Sequence, residues 1–128
     1  MKQRIGKWGL RLTRWETDGR PPELRRYVAI AAPHTTNWDL LYLLLHAWYH
    51  EMPISWLGKA TLFRWPAGPV LRALGGVPVE RDSKSGLVRS LADRFDAAAA
   101  DDRRFVLVIP PEGTRRAREY WKSGFYEI

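Results

Sequence analysis

The sequence predicts an α/β fold: a single domain with a mixed, largely parallel central sheet flanked by helices. Three observations carry this. Short apolar runs rich in β-branched residues alternate with segments of helical periodicity. Gly or Pro breaks the chain after most of these segments, at Gly19, Pro21, Pro22, Pro33, Pro53, Gly75 and Gly76. No repeat, low-complexity tract or linker divides the 128 residues, which suit one small domain.

The elements follow in chain order. Residues 2–16 set Ile5, Trp8, Leu12 and Trp15 at helical spacing with Lys2, Lys7, Arg11 and Arg14 opposite, predicting a basic amphipathic helix. Gly19, Pro21 and Pro22 end it. Tyr27–Ala32 reads as a buried strand. After Pro33, Thr35 or Thr36 is placed to cap a helix from about Asn37 to Glu51, closed by Pro53, with Leu41, Leu44, Leu45 and Trp48 as its core face. Ile54–Leu57 predicts a second strand. Pro66–Leu74 predicts a short helix stopped at Gly75-Gly76. Val77–Arg81 is a third strand. Ser83 or Ser85 caps a helix carrying Leu87, Leu91 and Phe95 at i, i+4, i+8. Phe105–Ile109, almost wholly apolar, predicts a strand buried on both faces.

Composition narrows the function classes. Without cysteine there is no disulfide, no cysteine-ligated metal and no thiol nucleophile. Twenty-one basic against 14 acidic side chains give a net charge of +7, and residues 1–26 alone contribute a surplus of five. Such a surface attracts anions. Seven tryptophans suit a membrane–water interface as well as a core. No apolar run reaches the ~18–20 residues that span a bilayer. The first helix has the character to dock on anionic lipid, to pack on the domain, or to bind nucleic acid; its Trp and Leu residues fit the first two, and no nucleic-acid fold is recognisable.

Three constellations carry chemistry. His34 lies between a strand and a helix, with Asp39 about one turn on; an aspartate on one ring nitrogen leaves the other free as a base. The pattern equally describes a capping histidine beside a solvated aspartate. Gly75-Gly76-Val77-Pro78-Val79-Glu80-Arg81 joins a flexible turn to a strand ending in a guanidinium suited to phosphate. It also describes a helix cap before a strand with an exposed Arg. Pro110-Pro111-Glu112-Gly113-Thr114-Arg115-Arg116 follows the most apolar strand, and its ordinary reading is a charged surface turn. His46 and His50, at i, i+4, have zinc-compatible spacing but no evident third ligand, and a half-buried helical face accounts for them. Arg103-Arg104 beside Asp101-Asp102 reads as a solvated turn.

Taken in order, these blocks resemble the glycerolipid acyltransferases, the lysophosphatidic acid acyltransferases and their relatives. The resemblance runs over residues 27 to 126 and rests on His34-Thr-Thr-Asn-Trp-Asp39, Gly75–Arg81 and Pro111–Arg115, with Lys59 and the Lys122-Ser-Gly-Phe125 segment matching further family positions. The family's fourth block, a proline-containing apolar strand, has no counterpart before Ile128, and a short basic helix stands where many members have a helical pair. The resemblance therefore implies residues 1–20 as a basic helix and 21–128 as an acyltransferase domain truncated at its C-terminus.

It implies that His34 is general base on an acceptor hydroxyl, that Asp39 orients it, and that the oxygen attacks the thioester of acyl-CoA or acyl-carrier protein. Arg81 and Arg115 would hold the acceptor phosphate. Gly76, Lys59, Glu112, Gly113 and Thr114 complete the implied substrate site. No cofactor or metal is implied. The expected partners are the acyl donor, a phosphorylated glycerolipid such as lysophosphatidate, and an anionic membrane surface on the cytoplasmic side, with no nucleic acid. The other class kept open is a non-catalytic basic membrane-binding module derived from, or a fragment of, such an enzyme.

Overall fold

The computed structural model describes residues 1–32, 36–79, 84–111, 119–121 and 128, without the side chains of 84 and 85. Its elements are α1 (Lys2–Leu12), β1 (Arg26–Ile30), α2 (Trp38–Tyr49), β2 (Ile54–Lys59), a 3-10 turn (Ala60–Phe63), α3 (Ala67–Ala73), β3 (Gly76–Val79), α4 (Lys84–Ala100) and β4 (Phe105–Ile109). They form one small α/β domain. The strands lie in the order β1-β4-β2-β3, and every pairing among the described residues is parallel. The antiparallel component implied by a mixed sheet is not among them.

Parallel neighbours require crossovers, and the helices supply them. The connection from β1 through α2 to β2 passes over β4; that from β3 through α4 returns across β2. Right-handed crossovers therefore put α2 and α4 on opposite faces. Packing agrees. Phe105 and Leu107 of β4 join Leu91 and Ala98 of α4 in a buried cluster, with Leu57 of β2 packed against it. Phe95 meets Phe105 edge to face at 4.8 Å. Trp56 alternates with Leu57, so it faces the other side, where its ring lies 6.0 Å from that of Phe63. Burial of side chains of this size contributes ~1.5–3 kcal/mol each.

β4 is central and buried from Phe105 to Val108, as its apolar run predicts. β1 has a similar composition but lies at the edge of the described sheet. Its residues are half-buried and Ile30 is exposed, so the buried strand expected there is an edge strand. Arg25 and Arg26 pair with the Asp102 carboxylate at 3.3 and 3.7 Å, beside the turn that starts β4.

The first helix differs more from expectation. It stops at Leu12, where the Thr13 hydroxyl donates back to the Gly9 carbonyl at 2.8 Å and Arg14 takes a positive φ of 58°. Trp15 is thus outside the helix and stacks on Tyr42 of α2, with centroids 4.7 Å apart. α1 docks antiparallel on α2 through Gly6, Gly9 and Leu10 rather than through Ile5, Trp8 and Leu12. A Cβ on Gly6 would stand 2.6 Å from both the Leu45 carbonyl oxygen and the Tyr49 nitrogen. Met1, Ile5, Trp8 and Leu12 consequently face outward, Trp8 with 69% of its surface exposed. On α2, Leu44 and Leu45 are buried, but Leu41 is exposed.

Candidate functional site

The parallel arrangement aligns the strand ends. Ile30 is in register with Ile109, and Lys59 with Val79. The chain therefore leaves all four strands at one edge of the sheet. In open parallel sheets this carboxyl edge is where ligands bind. Pro111, just past β4, is fully buried there. α2 starts eight residues beyond Ile30, so its N-terminus, the positive end of its dipole, belongs to the same edge.

Asp39 lies in the first turn of α2 and is half-buried. The N-cap is Asn37, where Thr35 or Thr36 was expected. Thr36 takes part differently: its backbone N–H donates to Asp39 Oδ2 at 2.9 Å, and the Asp39 N–H donates to the Thr36 carbonyl at 3.3 Å. This reciprocal pair turns the carboxylate back over the helix start, toward the chain that comes from β1. A charge-assisted bond of this kind fixes the side chain. The pattern His34-x4-Asp39 pointed to the aspartate but not to its bond with Thr36; a carboxylate in a first turn was the available signal.

Lys59 is the last residue of β2 and is exposed, so its ammonium belongs to the same edge as Asp39. Gly76 is the first residue of β3, at the opposite end of that strand, and is buried. A Cβ there would stand 2.7 Å from the Phe63 ring and 2.8 Å from the Leu71 carbonyl oxygen, so its bareness serves packing. Gly75 ends α3 with φ +91°, the turn expected of the pair. His34, Arg81, Glu112, Gly113, Thr114 and Arg115 lie outside the described residues, as do Ser83 and Lys122–Phe125. Ser85 lies inside α4, which already begins at Lys84, and so is not its cap.

Of the two remaining histidines, His46 lies in the last turn of α2 and His50 caps its C-terminus. His46 Nδ1 is 2.9 Å from the Tyr42 carbonyl oxygen, and its ring meets Trp15 edge-on at 5.7 Å. His50 packs edge-on against Tyr49. Burial holds its imidazole below the ordinary value, and the charge of His46 lowers it further. Among the described residues no group of three His, Asp or Glu is arranged to hold a metal ion. Arg4, Lys7, Arg20, His50 and Arg104 line an open groove of about 980 Å³. That groove lies at the amino edge of the sheet, away from Asp39 and Lys59.

No helix among the described residues is long and apolar enough to cross a membrane. Comparison with curated proteins and with solved structures gave no match. A family model described as Acyltransferase matches residues 18–127, which contain β1 through β4, Asp39, Lys59 and all three sequence blocks. Over most of its length, then, this chain belongs to the acyltransferase family.

Proposed function

We propose that the chain moves a fatty acyl group from acyl-CoA or acyl-carrier protein to a hydroxyl of lysophosphatidate or a related phosphorylated glycerolipid. His34 takes the hydroxyl proton as the oxygen attacks the thioester carbonyl; the tetrahedral intermediate collapses, expels the thiolate and leaves the ester, and the imidazolium returns the proton to the sulfur. Asp39 orients His34 and stabilises its protonated form. Arg81 and Arg115 hold the acceptor phosphate, and Lys59, Glu112, Gly113 and Thr114 shape the substrate site; Gly76, at the other end of β3, has no part in it. The observation that carries this reading is Asp39, held over the start of α2 at the edge where all four strands end.

The acceptor is an amphiphile, so work at a bilayer surface spares its extraction into water. In this reading residues 1–20 dock peripherally on the cytoplasmic face of an anionic membrane and residues 21–128 carry the chemistry. The outward Met1, Ile5, Trp8 and Leu12, beside exposed Arg4, Lys7 and Arg11, support it.

The test is an acyl-transfer assay of the purified chain with both donors and with acceptors that carry or lack a phosphate. His34→Ala lowers turnover by ~10²–10⁴. Arg81→Ala and Arg115→Ala raise KM for phosphorylated acceptors by roughly 10–100-fold, as loss of a charged hydrogen bond does, and leave the donor KM unchanged. Wild-type turnover by His34→Ala refutes the base assignment. Equal effects on both acceptor classes refute the phosphate clamp.

A further inference from the structure

The 3-10 turn continues β2 beyond Lys59, at the edge that carries Asp39, and α3 returns from it along the sheet toward the start of β3. They form a shoulder built around Phe63, which is buried against Trp56 and capped by the Arg72 guanidinium 5.4 Å from its ring centroid. From this fixed base Leu62, Trp65 and Val70 turn outward, exposed by 55%, 86% and 60%. Lys59 and Arg64 are exposed beside them. Residues 52–79 contain three cations and no acidic residue. The shoulder packs on the Trp56 face of the sheet, opposite α4, and the crossovers put α2 and its partner α1 on that same side.

We propose that this shoulder is a second membrane-insertion site, occupied by the headgroup–acyl boundary of an anionic bilayer, that seats the carboxyl edge of the sheet against the lipid. An exposed tryptophan with apolar neighbours suits that depth, and unopposed Lys and Arg suit anionic headgroups. A protein partner's apolar patch would leave those cations unmatched. The outward stripe of α1 has the same chemistry on the same side of the sheet, so one bilayer plane engages both. The inference rests on the surface-docking reading above, and its test separates the two.

The chain lacks cysteine, so single cysteines report position directly. Leu62→Cys, Val70→Cys, Trp8→Cys on α1 and Asp96→Cys on α4 each receive a polarity-sensitive thiol fluorophore. Vesicles contain equal parts phosphatidylcholine and phosphatidylglycerol. The expected result is a several-fold rise in emission at positions 62, 70 and 8, quenched by spin-labelled lipid, with no change at 96. A Leu62→Ser/Val70→Ser double variant keeps its thermal transition, because both side chains are exposed, and loses about 10-fold in vesicle affinity. Lipid contact at 8 but not at 62 or 70 overturns the second site and leaves docking through α1 standing. Absence of vesicle binding overturns both. Shielding of 62 and 70 without lipid, reversed on dilution, marks a second copy of the chain as the occupant and overturns the bilayer assignment.

Discussion

Gly6→Ala reverses the ordinary effect of a helix substitution. Replacing an interior helix glycine by alanine normally stabilises by ~0.5–1 kcal/mol. At Gly6 the new methyl would lie 2.6 Å from the Leu45 carbonyl oxygen and the Tyr49 nitrogen. Both are backbone atoms of α2 and cannot rotate away. Ordinary contact is ~3.5–4.0 Å, so the helices must part by about 1 Å, which forfeits a quarter to a half of the contact energy across the seam. That seam buries Leu10 and Leu45, at 4% and 6% exposure, each contributing ~1.5–3 kcal/mol. The loss is ~1–3 kcal/mol, and after the helix gain the net destabilisation is ~0.5–2 kcal/mol. Gly9→Ala is the control. The nearest atoms to its methyl would be those of the Leu45 side chain, at 2.7 Å, and not backbone. A rotamer adjustment of ~0.5–1.5 kcal/mol relieves that contact and roughly cancels the helix gain. In thermal unfolding Gly6→Ala should lower Tm by about 2–8 °C, with Gly9→Ala near wild type. A rise in Tm for Gly6→Ala, or equal losses for the two, refutes the glycine-mediated docking of α1.

Gly75→Ala should destabilise by at least ~1–2 kcal/mol in urea unfolding, because φ +91° penalises an L side chain and its Cβ would press on the Ile54 carbonyl oxygen; an unchanged midpoint refutes this account of the turn. His50 should titrate below 6.5 by NMR, in a groove it shares with Arg4, Lys7, Arg20, Glu23, Glu51 and Arg104. Below that value the unfolded chain takes up the proton first, so the stability contributed by neutral His50 is complete above about 6.5 and declines as pH falls toward the folded value. His46→Gln should move the titration back up part of the way, since burial remains; no movement removes the His46 charge from the explanation.

The sequence made β4 legible because Phe105-Val-Leu-Val-Ile has no polar side to expose. Tyr27-Val-Ala-Ile was read the same way and lies at the edge of the described sheet. Strand order is set by long-range pairing that composition does not encode. The shape of α1 was misread for a different reason. Hydrophobic periodicity takes the large apolar side as the buried one, yet two helices approach most closely where side chains are absent, at Gly6 and Gly9. The stop at Leu12 depended on a Thr13 hydroxyl competing for the Gly9 carbonyl, a local bond that periodicity does not register. At the site, Asp39 was legible from its place in a helix's first turn. Its hold on the Thr36 amide was not, since a carboxylate there has several amides within reach. His34, Arg81 and Glu112–Arg115 were singled out by sequence alone.

The topology also explains why the basic residues near the N-terminus do not act as one patch. Arg25 and Arg26 precede and open β1, at the amino edge of the sheet, where they meet Asp102 and the carbonyls of Asp102 and Arg103. Asp102 holds the left-handed turn, φ 51°, that feeds β4. These contacts join two strands whose partners, Ile30 and Ile109, are distant in sequence and adjacent in space. Exposed ion pairs contribute little, ~0–1 kcal/mol, so their role is to fix register at one end of a parallel pair that no hairpin can align. Arg4, Lys7 and Arg11 lie on a helix that meets the domain through glycines, with their charges outside. The first group is spent on the amino edge and on register. The second, beside Ile5, Trp8 and Leu12, is the part of the basic surplus left for an anionic surface. Reversing Arg4 and Arg11 should therefore affect vesicle binding without moving Tm, whereas reversing Arg25 and Arg26 should loosen β1 from β4.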